Sequence, residues 1–311
     1  MTDSAAEAKR LKHVPKKSWQ AQKYTQLKAT GRKYLAKLLS KVRTGPEHYM
    51  FSPPLARGGN WLYEWLKAYV MQQHGEKYFL VFETSMEPWI EEFPKLKELT
   101  ASKDHVKFRS QRSIAFHQNL EEHFPAELHR RFISEYLLSS PRFFERVTNA
   151  QKYLGKNSLV INIRRGDYYS VPEIKSEYGI PTVRYVHTAL EKALSLYTPS
   201  SIFIVSDDLK WCSENLDFLK DIAPTSFTKY GSTMYDDLAM MAAAPALILT
   251  NSTFSYWGGY IAHCVNKPLT VAPAFHSASS TSLYQPQSPI QHMPDWVQIT
   301  SIGSAWIEQD D

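Results

Sequence analysis

The chain has 311 residues, is 43% hydrophobic and 22% charged, and carries a net charge of +5, the balance of a soluble globular protein with room for two domains. Its two cysteines, Cys212 and Cys264, exclude a disulfide framework, and nothing near them has the CxxC or HxxxH spacing of a zinc site. No apolar run approaches the roughly 18 residues of a membrane span and the N-terminus lacks a signal peptide's apolar core, so a cytoplasmic location is expected.

Charge is unevenly spread. Residues 1–43 hold twelve of the Lys and Arg residues against Asp3 and Glu7, so the basicity belongs to the tail and gives no reason to expect a nucleic-acid partner. From Gln26, Leu27, Tyr34, Leu35, Leu38, Leu39 and Val42 fall on one helical face, with Lys28, Arg32, Lys33, Lys37 and Lys41 around them. Such a basic amphipathic helix over 26–42 can lie on an anionic membrane surface or pack on the body with its lysines in water.

The folded body begins near residue 45. Gly58-Gly59-Asn60 interrupts the pattern, a helix is expected over 61–74, and "KYFLVF" reads as a strand. Residues 86–150 read as short charged helices with one strand at Val106 to Phe108. From Ser158 the alternation is regular: the strands "SLVINI", "SSIFIVSDD", "PALILTN" and "KPLTVAP" are separated by the helices "PTVRYVHTALEKALSLY", "STMYDDLAMMAAA" and "STFSYWGGYIAHC". Apolar runs of this length between amphipathic helices define a parallel α/β sheet with right-handed crossovers. The expected divisions are 1–44 (tail and helix), 45–150 (N-terminal domain) and 151–311 (C-terminal domain).

In an open parallel sheet ligands bind beyond the carboxyl ends of the strands. Three loops leave there: "NIRRGDYY" from Asn162, "SDD" at 206–208 and "NSTFSYW" at 251–257. Asn251, Ser252 or Thr253 can cap the following helix, whose free N–H groups and positive dipole end attract an anion. An arginine opposite that helix end would clamp a diphosphate without a metal. Asp207 and Asp208 could instead hold magnesium, Asp208 could cap a helix, or Asp207 could accept hydrogen bonds from a purine. Asp236 and Asp237 most simply cap their helix, and Tyr256 and Trp257 read as core. His187, His263 and His276 have no evident functional partners.

"IRRGDYY", "SDD", "DLAMM" and "NSTFSYWGGYIA", in that order, resemble the motifs of glycosyltransferase family 11, the α-1,2-fucosyltransferases. "RGGNWLYEWLKAY" is similar to the family's glycine-rich opening, and "PDW" at 294–296 to its carboxy-terminal pattern. The resemblance implies a GT-B architecture, two Rossmann-like domains facing across a cleft with the parallel sheet of the C-terminal one holding GDP-fucose. It implies inverting, metal-independent transfer with no cofactor, to a hydroxyl of a galactose-containing glycan, O2 of a β-galactoside. Carried over residue by residue, Arg164 or Arg165 meets the β-phosphate and Asp167 braces the loop. Ser252 and Thr253 bind the diphosphate from the helix end, and Gly58, Gly59 and Asn60 let the opposite backbone approach it. Strand parity favours Arg164 for the ligand and Arg165 as a brace, against Asp167 or the facing domain. Asp167 is the one motif carboxylate available as a catalytic group.

Three residues depart from the family pattern. Asn162 stands where the family has histidine; it can still hydrogen-bond a ribose or base but loses any acid role. Tyr256 replaces one tryptophan of a pair, and Trp61, where glutamine is usual, is expected to reshape the acceptor side. RRxD loops also occur in α-1,6- and protein O-fucosyltransferases, which keeps those regiochemistries open, and Asn162 keeps open a catalytically impaired GDP-sugar-binding protein.

Overall fold

The computed structural model describes residues 39, 41–54, 56–114, 118–228, 232–277 and 291–302. The basic tail, and all but three residues of the 26–42 segment expected at a membrane surface, lie outside them. No helix among the described residues is long and apolar enough to cross a membrane.

The first unit comprises β1 (Glu47–Met50), α1 (Gly58–Gln73), β2 (Lys77–Val81), α2 (Glu87–Glu92), β3 (Thr100–Ala101) and β4 (Gln111–Ser113). Its sheet is parallel, in the order β3-β2-β1-β4. The chain then passes through α3 (Leu120–His123), α4 (Ala126–Phe132), a π-helical turn (Ile133–Leu138) and α5 (Pro141–Leu154). The second unit follows as β5 (Ser158–Ile163), α6 (Gly166–Ser170), α7 (Pro172–Tyr178), α8 (Thr182–Leu194), β6 (Ser201–Ser206), α9 (Leu209–Asn215) and β7 (Thr225–Phe227). It is completed by α10 (Met234–Ala243), β8 (Ala246–Ile248), α11 (Thr253–Val265), β9 (Leu269–Pro273) and β10 (Val297–Ile299). Its sheet is parallel too, in the order β10-β9-β8-β5-β6-β7. Two parallel sheets with covering helices make this an α/β protein of GT-B type.

Local chemistry explains the elements that frame the strand ends. All six residues of β5 are buried, as a strand covered on both faces requires. Val160 joins the core under α5, α10 and α11, whereas Leu159, Ile161 and Ile163 face α8. Ser140 caps α5 and Pro141 occupies its first position, where a missing N–H costs nothing. Phe143, Val147, Ala150 and Leu154 then form its buried stripe, and Gly155, at φ +70°, ends it.

The two units share a core. Tyr63 on α1 and Tyr260 on α11 meet hydroxyl to hydroxyl at 2.7 Å, and Trp257 packs edge-on against Tyr63. Tyr256 and Trp257 are fully buried, core residues as expected.

Several expectations are corrected. The first helix starts at Gly58, so the glycines form its first turn instead of preceding it. Residues 106–108 form no strand; β4 lies just beyond, where backbone pairing with β1 outweighs the weak apolar signal. The division at 150/151 falls inside α5, which packs along α10 and feeds β5. Asp236 and Asp237 do not cap α10: Thr233 does, with Asp236 as its reciprocal partner in a capping box. Asp208 does cap α9, accepting from the Trp211 N–H at 3.0 Å.

Candidate active site

Two helix starts meet at the seam between the units. A Cβ placed on Gly59 would lie 2.6 Å from the Phe254 nitrogen and 2.7 Å from the Thr253 carbonyl carbon. The first turn of α1 therefore rests directly on that of α11, backbone against backbone. Gly59 thus serves contact between the helices, besides the approach to phosphate expected for it. Gly58, at φ +31°, lies over the Trp89 indole, and Asn60 is half-buried in the same turn. No side chain caps α1, whereas Ser252 caps α11 by accepting from the Ser255 N–H at 3.0 Å. Like dipole ends repel, so two positive helix ends placed together favour an anion between them.

Ser252 is buried and its hydroxyl is engaged with Ser255, while Thr253 is half-exposed. Asn162 lies underneath. Its amide donates to the Val205 carbonyl at 3.3 Å, and its oxygen accepts from Thr250 and Ser255. The side chain proposed for a ribose or base contact is thus buried, tying β5 to the start of α11.

Arg164 leaves β5 between two carboxylates, donating to Asp207 Oδ2 at 2.6 Å and to Asp167. Burial opposes its charge, but Asp207 and Asp167 outweigh burial and hold its pKa above the ordinary value. Asp207 also accepts from the Arg165 backbone N–H at 2.8 Å, so each of its oxygens is engaged by the first loop. Gly166, at φ +23°, is required here, because a Cβ would strike Asp207 Oδ2.

Arg165 turns into the fold. Its guanidinium is stacked between the Tyr169 ring at 3.7 Å and the Trp211 ring at 3.8 Å, and reaches Thr182 at 3.4 Å. The partners expected for it, Asp167 or the facing domain, are replaced by aromatic rings of its own unit, since Asp167 is held by Arg164. Arg165→Ala is expected to lower thermal stability by about 2 kcal/mol through loss of both cation–π contacts. A melting curve unchanged from wild type would contradict this.

Sequence reasoning underrated Asp237. It follows Asp236 in α10 and lies near enough to Asp207 to feel its charge; burial, then Asp236 and Asp207, push its pKa up to about 7. Its place in "DLAMM" was the available signal. Glu64, one turn along α1, was missed. Burial raises it to about 8, while it accepts from Ser52 at 3.2 Å. Trp61 is buried, and its indole N–H donates to the same Ser52 at 3.1 Å, so it props the first turn from below instead of shaping an acceptor surface. Three histidines singled out in the sequence find neighbours: His187 stacks on Phe218, His263 lies 3.1 Å from Asp295, and His276 contacts the Tyr256 hydroxyl.

These shifts contribute a pH dependence to stability. Glu64 and Asp237, raised to about 8 and about 7, stabilise the fold at low pH and lose that contribution as pH rises through those values. His129, His276 and His292 are lowered by burial to about 3, about 4 and about 3; their contribution is present above the ordinary 6.5 and lost as pH falls towards those values. Three histidines outweigh two acids below pH 6.5, and only the acids act above it, so these groups place maximal stability at about pH 6.5. Melting temperatures between pH 4 and 9 test this; a monotonic profile would contradict it.

A cavity of about 820 Å³ lies along α5 and α10, lined by Arg142, Glu145, Arg146, Tyr153, Ser232 and Asp236 among others, and none of the strand-end residues above lines it. Among the described residues no group of three or more His, Cys, Asp or Glu side chains is placed to hold a metal ion.

Two parallel α/β units meet here, with an arginine and two helix starts near the strand ends. The model of glycosyl transferase family 11 matches residues 99–300, and the chain belongs to that family. Its relatives include the α-1,2-colitosyltransferase of Escherichia coli, 30% identical over 117 residues, 38% of this chain and 40% of that one. Galactoside α-(1,2)-fucosyltransferase 1 of Mus musculus is 23% identical over 145 residues, 47% of this chain and 37% of that one. The matches thus span about two fifths of the length of these relatives. Among solved structures, POFUT1 in complex with GDP has a TM-score of 0.45 at 14% identity, covering 74% of this chain and 98% of that one. NodZ α-1,6-fucosyltransferase soaked with GDP-fucose has a TM-score of 0.45 at 13% identity, covering 69% and 92%.

Proposed function

We propose that the protein transfers L-fucose from GDP-fucose to a glycan, forming an α-1,2 link to a β-galactoside with inversion at the fucose anomeric carbon. The observation that carries this reading is the meeting of the α1 and α11 starts, with Asn162 of the strand that leads into Arg164 tied to Ser255 in the first turn of α11, within a family 11 chain. The α-1,2 linkage follows the names of the relatives.

In this mechanism the acceptor hydroxyl forms a bond to the anomeric carbon as the bond from that carbon to the β-phosphate oxygen breaks. The negative charge arriving on GDP is met by Arg164, freed from part of its hold on Asp167 and Asp207, and by the N–H groups of the helix starts. Stabilisation of developing charge by preorganised donors is the largest contribution in catalysis of this kind. The acceptor's proton passes to a carboxylate of the cluster, for which Asp167 is the exposed candidate. Ser252 contributes through the helix it caps, Thr253 and Asn60 through their positions in the two first turns, and Arg165 through its brace.

A guanidinium and backbone donors do the work that a divalent cation does elsewhere, so GDP affinity is expected to be indifferent to EDTA. Calorimetric titration of GDP with and without chelator tests this; a tenfold loss of affinity would contradict it. Supplying GDP-colitose beside GDP-fucose decides the donor sugar, given the colitosyl relative.

A further inference from the structure

Arg146, on the face of α5, touches both halves of the site's framework without belonging to either half-site. Its Nε donates to Glu92 Oε1 at 2.9 Å, Nη2 reaches Glu92 Oε2 at 3.4 Å, and Nη1 pairs with Asp236. Glu92 ends α2 in the first unit and its side chain is only 4% exposed; Asp236 lies in the first turn of α10 in the second. The Glu92 carbonyl also accepts from Ser140, the cap of α5, so α5 holds the end of α2 twice.

Each end of this tie leads to the site in one step. At the α10 end, the Asp236 oxygen not used by Arg146 closes the capping box, accepting from the Thr233 N–H and hydroxyl at 2.8 Å. The next residue is Asp237, which senses Asp207 and hence the partner of Arg164. At the α2 end, Trp89 lies 3.1 Å from the Cβ position of Gly58 and meets Tyr235 of α10 edge-on at 5.3 Å. A buried ion pair can often be replaced by apolar groups without loss of stability; what it supplies in some proteins is a unique geometry. Arg146, with five donors in a rigid fork, can satisfy two carboxylates from different units at once.

We propose that Arg146 is a positioning residue for the transfer reaction: by holding Glu92 and Asp236 together, it sets the first turn of α10 against the first turn of α1 and so fixes the spacing of the donor site. This rests on the donor-site reading above. Lysine carries the charge but not the fork, so it can serve Glu92 or Asp236 and not both.

The test compares wild type, Arg146→Lys and the double variant Glu92→Gln/Arg146→Met, which removes the tie without leaving a buried carboxylate unpaired. Both variants are expected to melt close to wild type. In a GDP-fucose turnover assay the donor KM is expected to rise about tenfold, the scale of coupling through a network residue, with little change in kcat. Hydrogen exchange is expected to quicken at Tyr235 to Asp237 and at Gly59 to Trp61 in the double variant. Exchange at wild-type rates in both segments overturns the proposal, as does a wild-type donor KM in either folded variant. If wild-type protein neither binds GDP nor consumes GDP-fucose, the donor-site reading fails and the exchange data alone decide the role of Arg146.

Discussion

Gly59→Ala is expected to abolish transfer and to lower stability, although glycine to alanine inside a helix ordinarily gains about 1 kcal/mol. The added methyl would meet the Phe254 nitrogen at 2.6 Å, with the Thr253 carbonyl carbon and oxygen at 2.7 and 2.9 Å. All three are backbone atoms at a helix start and cannot rotate away as a side chain would. Either α1 lifts off α11 or both first turns distort, and overpacking of this kind costs roughly 1–3 kcal/mol. The shift falls where the two helix ends converge, and a misplacement of about 1 Å can cost on the order of a hundredfold in rate. A melting curve and a GDP titration check both parts. Wild-type affinity in this variant would show that the contact between the two turns does not shape the site.

Arg164→Ala is expected to remove measurable transfer and weaken GDP binding at least a hundredfold, with a smaller effect on melting than Arg165→Ala. The guanidinium is the positive side chain between Asp167 and Asp207, and its removal leaves two carboxylates facing the incoming diphosphate. Loss of attraction and gain of repulsion act in the same direction. Both carboxylates are partly exposed, at 51% and 29%, so the fold tolerates the change. Arg164→Lys keeps the charge, loses the two-pronged geometry, and is expected to cost roughly 2 kcal/mol in transition-state stabilisation. If Arg165→Ala melts normally yet fails to bind GDP, while Arg164→Ala binds it, the two roles are exchanged.

The second unit was legible in the sequence because β5, β6 and β8 are apolar runs set between amphipathic helices, a pattern with few alternatives. β1, β3, β4 and β7 were not. They are two to four residues long with exposed or half-buried positions, too short for periodicity to register. Of the site, the three strand-end loops could be found, because a parallel sheet dictates where its ligand goes. Their mutual contacts could not. That Asp207 grips Arg164 depends on the register that pairs Ile163 with Ser206, and that Gly59 touches Thr253 depends on how the two units pack. Asn162 shows the limit of motif position: its parity with Arg164 suggested a ligand contact, whereas packing of Ser255 and Thr250 around its amide makes it a buried tie. Arg146 carries no motif at all, and only the fold brings Glu92 and Asp236 to it.

The most direct test of donor and reaction is an NMR-monitored incubation of the full chain with GDP-fucose and a β-galactoside in the presence of EDTA. Stoichiometric release of GDP with appearance of an α-linked fucose on O2 of the galactose is the predicted result. GDP-fucose left intact with the galactoside present, or fucose delivered to another position, would contradict it.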